Sequence, residues 1–190
     1  MPAGFMSQVA LLNQPAKISW EKILKKYVGT ITAGYRKTRT RLNRRQPERF
    51  DLSGKMEDKT LKIVVAIDTS GSVGDAEISR IFNEIFEILS KKKFELTIIE
   101  CDARIQRVYK AKDRSEVKTT VRGRGGTAFT PVIEYINKDK YFRDAFLIYF
   151  TDGYGEYEIP KPRTYRTMWV ILDDEKALSL KNPYGIVIGM

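Results

Sequence analysis

The sequence predicts an α/β fold, a Rossmann-like and mostly parallel sheet flanked by helices, with a basic amino-terminal extension. Three observations carry that expectation. Short, β-branched apolar runs such as Leu61–Ile67 (LKIVVAI) and Ala145–Phe150 (AFLIYF) read as strands covered on both faces. Between them, apolar residues recur every three or four positions, which is the helical period. Strand-like and helix-like segments alternate along residues 60–190, the order that produces a parallel sheet with crossover helices.

Residues 1–15 show no clear period and end in Asn13-Gln14-Pro15. Ser19 then stands ahead of Trp20, Ile23, Leu24, Tyr27 and Val28, spaced along one helix face, with Glu21 favourable in the first turn. Gly29 and Gly34 loosen the chain beyond that helix. The acid-free run from Tyr35 to Arg45 reads as an extended basic arm reaching Pro47, and Phe50–Lys59 reads as a linker. Residues 1–59 therefore form a basic amino-terminal extension with one short amphipathic helix, and residues 60–190 a domain.

Within that domain, Leu61–Ile67 stops at the loop Asp68-Thr69-Ser70-Gly71-Ser72. A helix comes next, through Ile78, Ile81, Phe82, Ile85, Phe86 and Leu89, with Lys91–Lys93 suiting its carboxyl end. Phe94–Cys101 is the next strand and Arg104–Tyr109 its antiparallel hairpin partner. A glycine-rich loop, Arg122–Thr127, leads to a helix capped by Thr130 with Pro131 at its first position. Ala145–Phe150 ends in Thr151-Asp152-Gly153, and Thr167–Leu172 and Gly185–Ile188 are the last strands. No internal repeat or low-complexity tract is visible.

Composition excludes much chemistry. The 190 residues contain no histidine, which removes Ser-His-Asp and Cys-His catalysis and His-ligated zinc. Cys101 is alone, so it forms no intrachain disulfide or zinc cluster, and it reads as a small, half-buried core thiol. What remains is oxygen chemistry, for which hard cations are the natural partners. No apolar run approaches the roughly 18 residues of a membrane-spanning helix, and no basic residue precedes Lys17, so the expectation is a cytosolic, non-membrane protein.

Three loops stand where open α/β sheets form ligand sites, at the carboxyl ends of strands or ahead of a helix. They are Asp68-x-Ser70-x-Ser72, Gly125-Gly126-Thr127 and Thr151-Asp152-Gly153. Each alone is an ordinary turn or cap sequence. Together they offer two carboxylates and three hydroxyls, a donor set suited to a small divalent cation. In this combination the chain resembles the von Willebrand factor A (VWA) domain with its metal-ion-dependent adhesion site. The match is carried by Ile67–Ser72, Gly126-Thr127 and Phe150–Gly153 and covers roughly residues 60–190. Pro2–Phe5, Trp20 with Leu24, and Asn43-Arg44-Arg45 also resemble the VWA-like region that follows a metallopeptidase-like segment in prokaryotic proteins, although this sequence carries no metallopeptidase signature.

The resemblance implies that Ser70, Ser72 and Thr127 coordinate Mg2+ or Mn2+ directly or nearly so, with Asp68 and Asp152 acting mainly through waters. Neutral hydroxyl ligands leave the cation's charge incompletely offset, so an Asp or Glu of a partner protein can complete the octahedron. The implied function is a protein-interaction domain without catalysis, working alongside a MoxR-type AAA+ ATPase. Arg122 and Arg124 beside the site would draw an acidic ligand, and Tyr154 and Phe129 stand where they could rim it or pack beneath it. The usual long final helix is not expected, since only about eighteen residues come after Leu172.

Two other readings stand beside it. A magnesium-dependent phosphohydrolase would use Asp68 as nucleophile, but the position two residues on is Ser70 rather than a second Asp. Nucleic-acid binding would use Arg36, Lys37, Arg39, Arg41, Arg44 and Arg45. The net charge of +10 is concentrated there, residues 1–59 carrying thirteen Lys/Arg against five Asp/Glu.

Overall fold

The computed structural model describes residues 19–30, 35–57, 60–69, 74–90, 92–118, 126–164, 166–172 and 178–190. Ser70, Ser72, Arg122 and Arg124 lie outside them. In chain order the elements are helix α1 (Trp20–Thr30), strands β1 (Tyr35–Leu42), β2 (Ser53–Glu57) and β3 (Leu61–Asp68), and helix α2 (Asp75–Leu89). After these come strands β4 (Phe94–Cys101) and β5 (Ile105–Ala111), helix α3 (Thr130–Lys138) and strands β6 (Phe146–Thr151), β7 (Arg166–Ile171) and β8 (Ile186–Gly189).

Six strands form one sheet in the order β5-β4-β3-β6-β7-β8. All neighbours are parallel except β5, which runs antiparallel to β4 at the edge. The expected mostly parallel sheet with one hairpin edge is therefore present. Each of its strands lies within a residue or two of the segment the sequence marks out.

The topology decides which face each helix covers. From β3 the chain crosses to β4 on one side, and it later returns to β6 on the other. Parallel crossovers are right-handed, so these opposite excursions put α2 and α3 on opposite faces. Side chains confirm it. Ile63, Val65, Ile67, Ile98 and Phe150 pack with α2, while Val64, Ala66, Ile99, Tyr149 and Trp169 pack with α3.

Later crossovers stay on the α3 side, as Ile159 and Leu180 in that core attest. The α2-side face of β6, β7 and β8 is covered by α1. Trp20, Leu24 and Val28 are buried in one cluster with Phe146, Phe150, Met168, Val170 and Ile188. The Trp20 ring meets Phe150 edge-on at 5.4 Å, and Tyr27 lies 5.2 Å from Phe146. Each fully buried side chain of this size contributes about 1.5–3 kcal/mol, so α1 is a substantial part of the core.

The basic run is in part a strand. Its residues 35–42 form β1, which pairs antiparallel with β2, a strand drawn from the stretch expected to be a linker. Among the described residues no helix is long and apolar enough to cross a membrane.

Candidate functional site

Strand order reverses between β3 and β6, and such a switch point opens a crevice beyond the carboxyl ends of the strands. Asp68 is the last residue of β3, and Asp152 comes directly after β6. The Asp68 carboxylate is wholly buried, and the Thr151 hydroxyl donates to its Oδ2 at 2.9 Å. That same hydroxyl accepts from the Gly153 backbone N–H at 3.1 Å, so a single Thr holds the end of β3 against the turn after β6. Gly153 has φ 91°, a left-handed conformation that glycine adopts without a Cβ penalty. Asp152 is half-exposed, and its Oδ1 accepts from the Tyr154 N–H at 3.0 Å.

The loop carrying Thr127 is tied to the same edge from the other side. Thr69 N–H donates to the Cys101 carbonyl at 2.8 Å, joining the β3 and β4 ends. The next residue, Asp102, accepts from the Ala128 N–H at 3.0 Å through its carbonyl, and the Cys101 thiol also reaches the Ala128 carbonyl at 3.6 Å. Thr127 is thereby held half-exposed beside the crevice.

A residue that the sequence reading missed closes the circle. Glu156 Oε2 accepts from both the Phe129 and Thr130 backbone N–H groups at 2.7 Å, capping α3 from 26 residues away. The helix N-cap is Phe129, without a side-chain cap of its own, so the expected Thr130 cap is replaced by this distant carboxylate. An anion suits that position, where the helix's unsatisfied N–H groups and dipole converge. Only the glutamate's place on the loop after Asp152 could have pointed to it, and that requires knowing the sheet order.

Beneath the loops lies an aromatic layer. Phe129 is fully buried, edge-on to Tyr149 and Trp169, which stack on each other at 4.8 Å. Phe129 is therefore a packing residue, whereas Tyr154, two residues after Asp152, is 59% exposed. Cys101 is fully buried rather than half-buried, its Sγ donating to the Asp102 carbonyl at 3.3 Å. Burial, reinforced by the charges of Asp102, Asp68 and Glu156, pushes its thiol up to about 12. Burial likewise holds the Tyr149 phenol protonated, with Cys101, Asp68 and Glu156 adding to the shift.

Among the described residues no three His, Cys, Asp or Glu side chains gather as a metal cage. A cation held here would depend on hydroxyls and waters as well as Asp68 and Asp152. That donor set is hard and oxygen-only, as Mg2+ or Mn2+ requires. The Thr69 hydroxyl, buried beside Asp68, has no hydrogen-bond partner among the described residues and leaves an unsatisfied oxygen at this strand end. Of the residues singled out for nucleic acid, Arg36, Lys37, Arg39 and Arg41 lie on β1, with Arg44 and Arg45 in the turn beyond it.

The sequence profile of the VWA-like domain (DUF2201) matches residues 63–190, about two thirds of the chain. The chain belongs to this VWA-like family. It is also similar to an uncharacterised protein of Thermotoga maritima, 24% identical over 186 residues. That alignment takes in 97% of this chain and 46% of the relative, so the chain spans about half the length of the curated relative it matches. Among solved structures it resembles the ArnB paralog VWA2 from Sulfolobus acidocaldarius, with 14% identity and a TM-score of 0.48 over 68% of this chain and 41% of that one. The VWA-like core begins at β3, so β1, β2 and α1 precede the matched region.

Proposed function

We propose that this VWA-like domain is a cytosolic protein-interaction module whose divalent cation binds an acidic side chain of a partner. The cation would be Mg2+ or Mn2+, held by Ser70, Ser72 and Thr127 with Asp68 and Asp152 behind waters. The observation that carries the reading is the hydrogen-bonded ring at the switch point: Thr151 to Asp68, Asp102 to the Thr127 loop, and Glu156 back across to α3. Strands and caps, rather than the ion, already bring these segments together, and such preorganisation is what a cation site with few charged ligands needs.

Binding is favoured over catalysis by the state of Asp68. A nucleophilic aspartate needs an open carboxylate, whereas this one is buried and shared with Thr151. When bound, the ion would supply a Lewis-acidic vacancy for a carboxylate. This chain's residues hold Asp68 and the Thr127 loop, and Phe129, Tyr149 and Trp169 exclude water beneath them. The partner class implied by the family resemblance, a MoxR-type AAA+ ATPase, is the first to test.

The test is a Mg2+ and Mn2+ titration followed by thermal unfolding, comparing wild type with Asp68→Asn and Thr127→Val. An ion at a hundredfold excess over its Kd adds about 2.7 kcal/mol, which raises Tm by about 5–11 °C in a chain of this length. The rise should appear in wild type, disappear in both variants, and bring with it affinity for an Asp-containing peptide. An equal rise in all three proteins would discard the metal reading.

A further inference from the structure

The geometry points to a second binding site, unrelated to the switch-point crevice: the β1–β2 ribbon is a groove for the phosphate backbone of single-stranded nucleic acid. Lys37, Arg41, Arg44, Arg45 and Lys55 line one open pocket, and all five are exposed. Among the described residues none lies within ion-pair distance of a carboxylate. Asp51, the acid in the lining, is already held by the Arg49 guanidinium, which keeps its carboxyl below the usual carboxylate range.

The ribbon is built in a way that opposes its own stability. Lys37 sits directly across from Lys55 in the ladder, and like charges at that position repel. Thr38 faces Gly54 and Leu42 faces Ser53, so Arg39, Thr40 and Arg41 bulge out without partners on β2. A Cβ on Gly54 would collide with the Arg41 carbonyl and stand 2.7 Å from the Leu42 carbonyl oxygen, so glycine is what lets the bulge close over β2. The Thr38 and Thr40 hydroxyls meet at 2.6 Å inside it. Bulges re-aim side chains, and this one re-aims arginines, whose forked donors match phosphate oxygens.

Phe50, one residue from the pocket-lining Asp51, is 83% exposed. Proteins that hold single strands combine a cationic groove with exposed aromatic residues, phosphates on the cations and a base stacked on the ring. An exposed Phe next in sequence to the lining supplies the second part. An acidic peptide would use the cations and leave Phe50 without a role.

The test is fluorescence anisotropy with a labelled oligo(dT) or oligo(U) 20-mer, in EDTA so that the outcome is independent of the metal site. Five phosphate contacts predict a log Kd versus log salt slope of about 3.5 and roughly a hundredfold weakening from 50 to 200 mM salt. R41Q/R44Q should flatten the slope by about 1.4, and Phe50→Ala should weaken binding about tenfold. Gly54→Ala, which keeps every charge, should also weaken it. The exposed pair K92Q/K93Q should change nothing, and circular dichroism checks that each variant is folded. The proposal is overturned if the oligonucleotide does not bind at 50 mM salt, or if K92Q/K93Q costs as much as R41Q/R44Q. It is equally overturned if Phe50→Ala or Gly54→Ala binds like wild type, or if phosphatidylserine vesicles, polyphosphate or a polyglutamate peptide is bound and the oligonucleotide is not.

Discussion

Thr151→Val removes one oxygen and little else, since valine keeps the shape and β-branching that suit a buried strand. The oxygen does two things. It donates to the buried Asp68 carboxylate at 2.9 Å and accepts from the Gly153 N–H at 3.1 Å. A hydrogen bond to a charged group is worth about 1.5–3 kcal/mol, and leaving a buried N–H without its acceptor costs about 1 kcal/mol or more. The expected loss is about 2–4 kcal/mol, read as a lower urea midpoint with unchanged slope and a Tm lowered by about 5–15 °C. Thr151→Ser keeps the oxygen and loses a methyl, so it should cost only about 1 kcal/mol. If Thr151→Val unfolds within 0.5 kcal/mol of wild type (roughly the scatter of a neutral surface change), or Thr151→Ser is as damaging, the hydroxyl does not hold the two strand ends together.

Three further outcomes are expected. Glu156→Ala, which strips the cap from two α3 amides, should cost about 1–2 kcal/mol and speed hydrogen exchange at Phe129 and Thr130, with Glu156→Gln retaining part of both. Leu24→Ala, at a fully buried position, should cost about 2–5 kcal/mol by urea unfolding, whereas truncating a residue of a free extension would cost almost nothing. The Cys101 thiol should resist a disulfide reagent at pH 8 until the chain unfolds. Its pKa rises from 9.0 to about 12 on folding, so the stability it contributes is complete below pH 9 and is lost as pH climbs from 9 toward 12. A native protein labelled at the rate of a free thiol would refute that burial.

The elements legible in the sequence were those whose signal is local. Leu61–Ile67 and Phe94–Cys101 announce buried strands because short apolar stretches dominate them, with Lys62, Glu95, Thr97 and Glu100 as the polar exceptions, and the three-and-four spacing from Ile78 to Leu89 announces α2. The β1 strand, YRKTRTRL, has no apolar face and becomes a strand only by pairing with β2 across a ten-residue loop, an event that periodicity cannot register. Glu100 is a charged residue near the end of β4. It is buried because the antiparallel register sets Arg107 opposite, whose guanidinium grips the carboxylate. For the site, Asp68 and Asp152 are visible as strand-end acids, but the contribution of Glu156 depends on which loop lands beside α3, a fact of topology.

Helix α1 has a practical consequence for anyone dissecting this chain. A fragment started at residue 63, where the family profile begins, would leave Phe146, Phe150, Met168, Val170 and Ile188 facing water along three adjacent strands. Such a bare greasy slab invites another copy to lie against it, so the shortened product should emerge as aggregate or as an artefactual dimer. Supplying residues 19–30 in trans as a synthetic peptide should return it to a dispersed monomer.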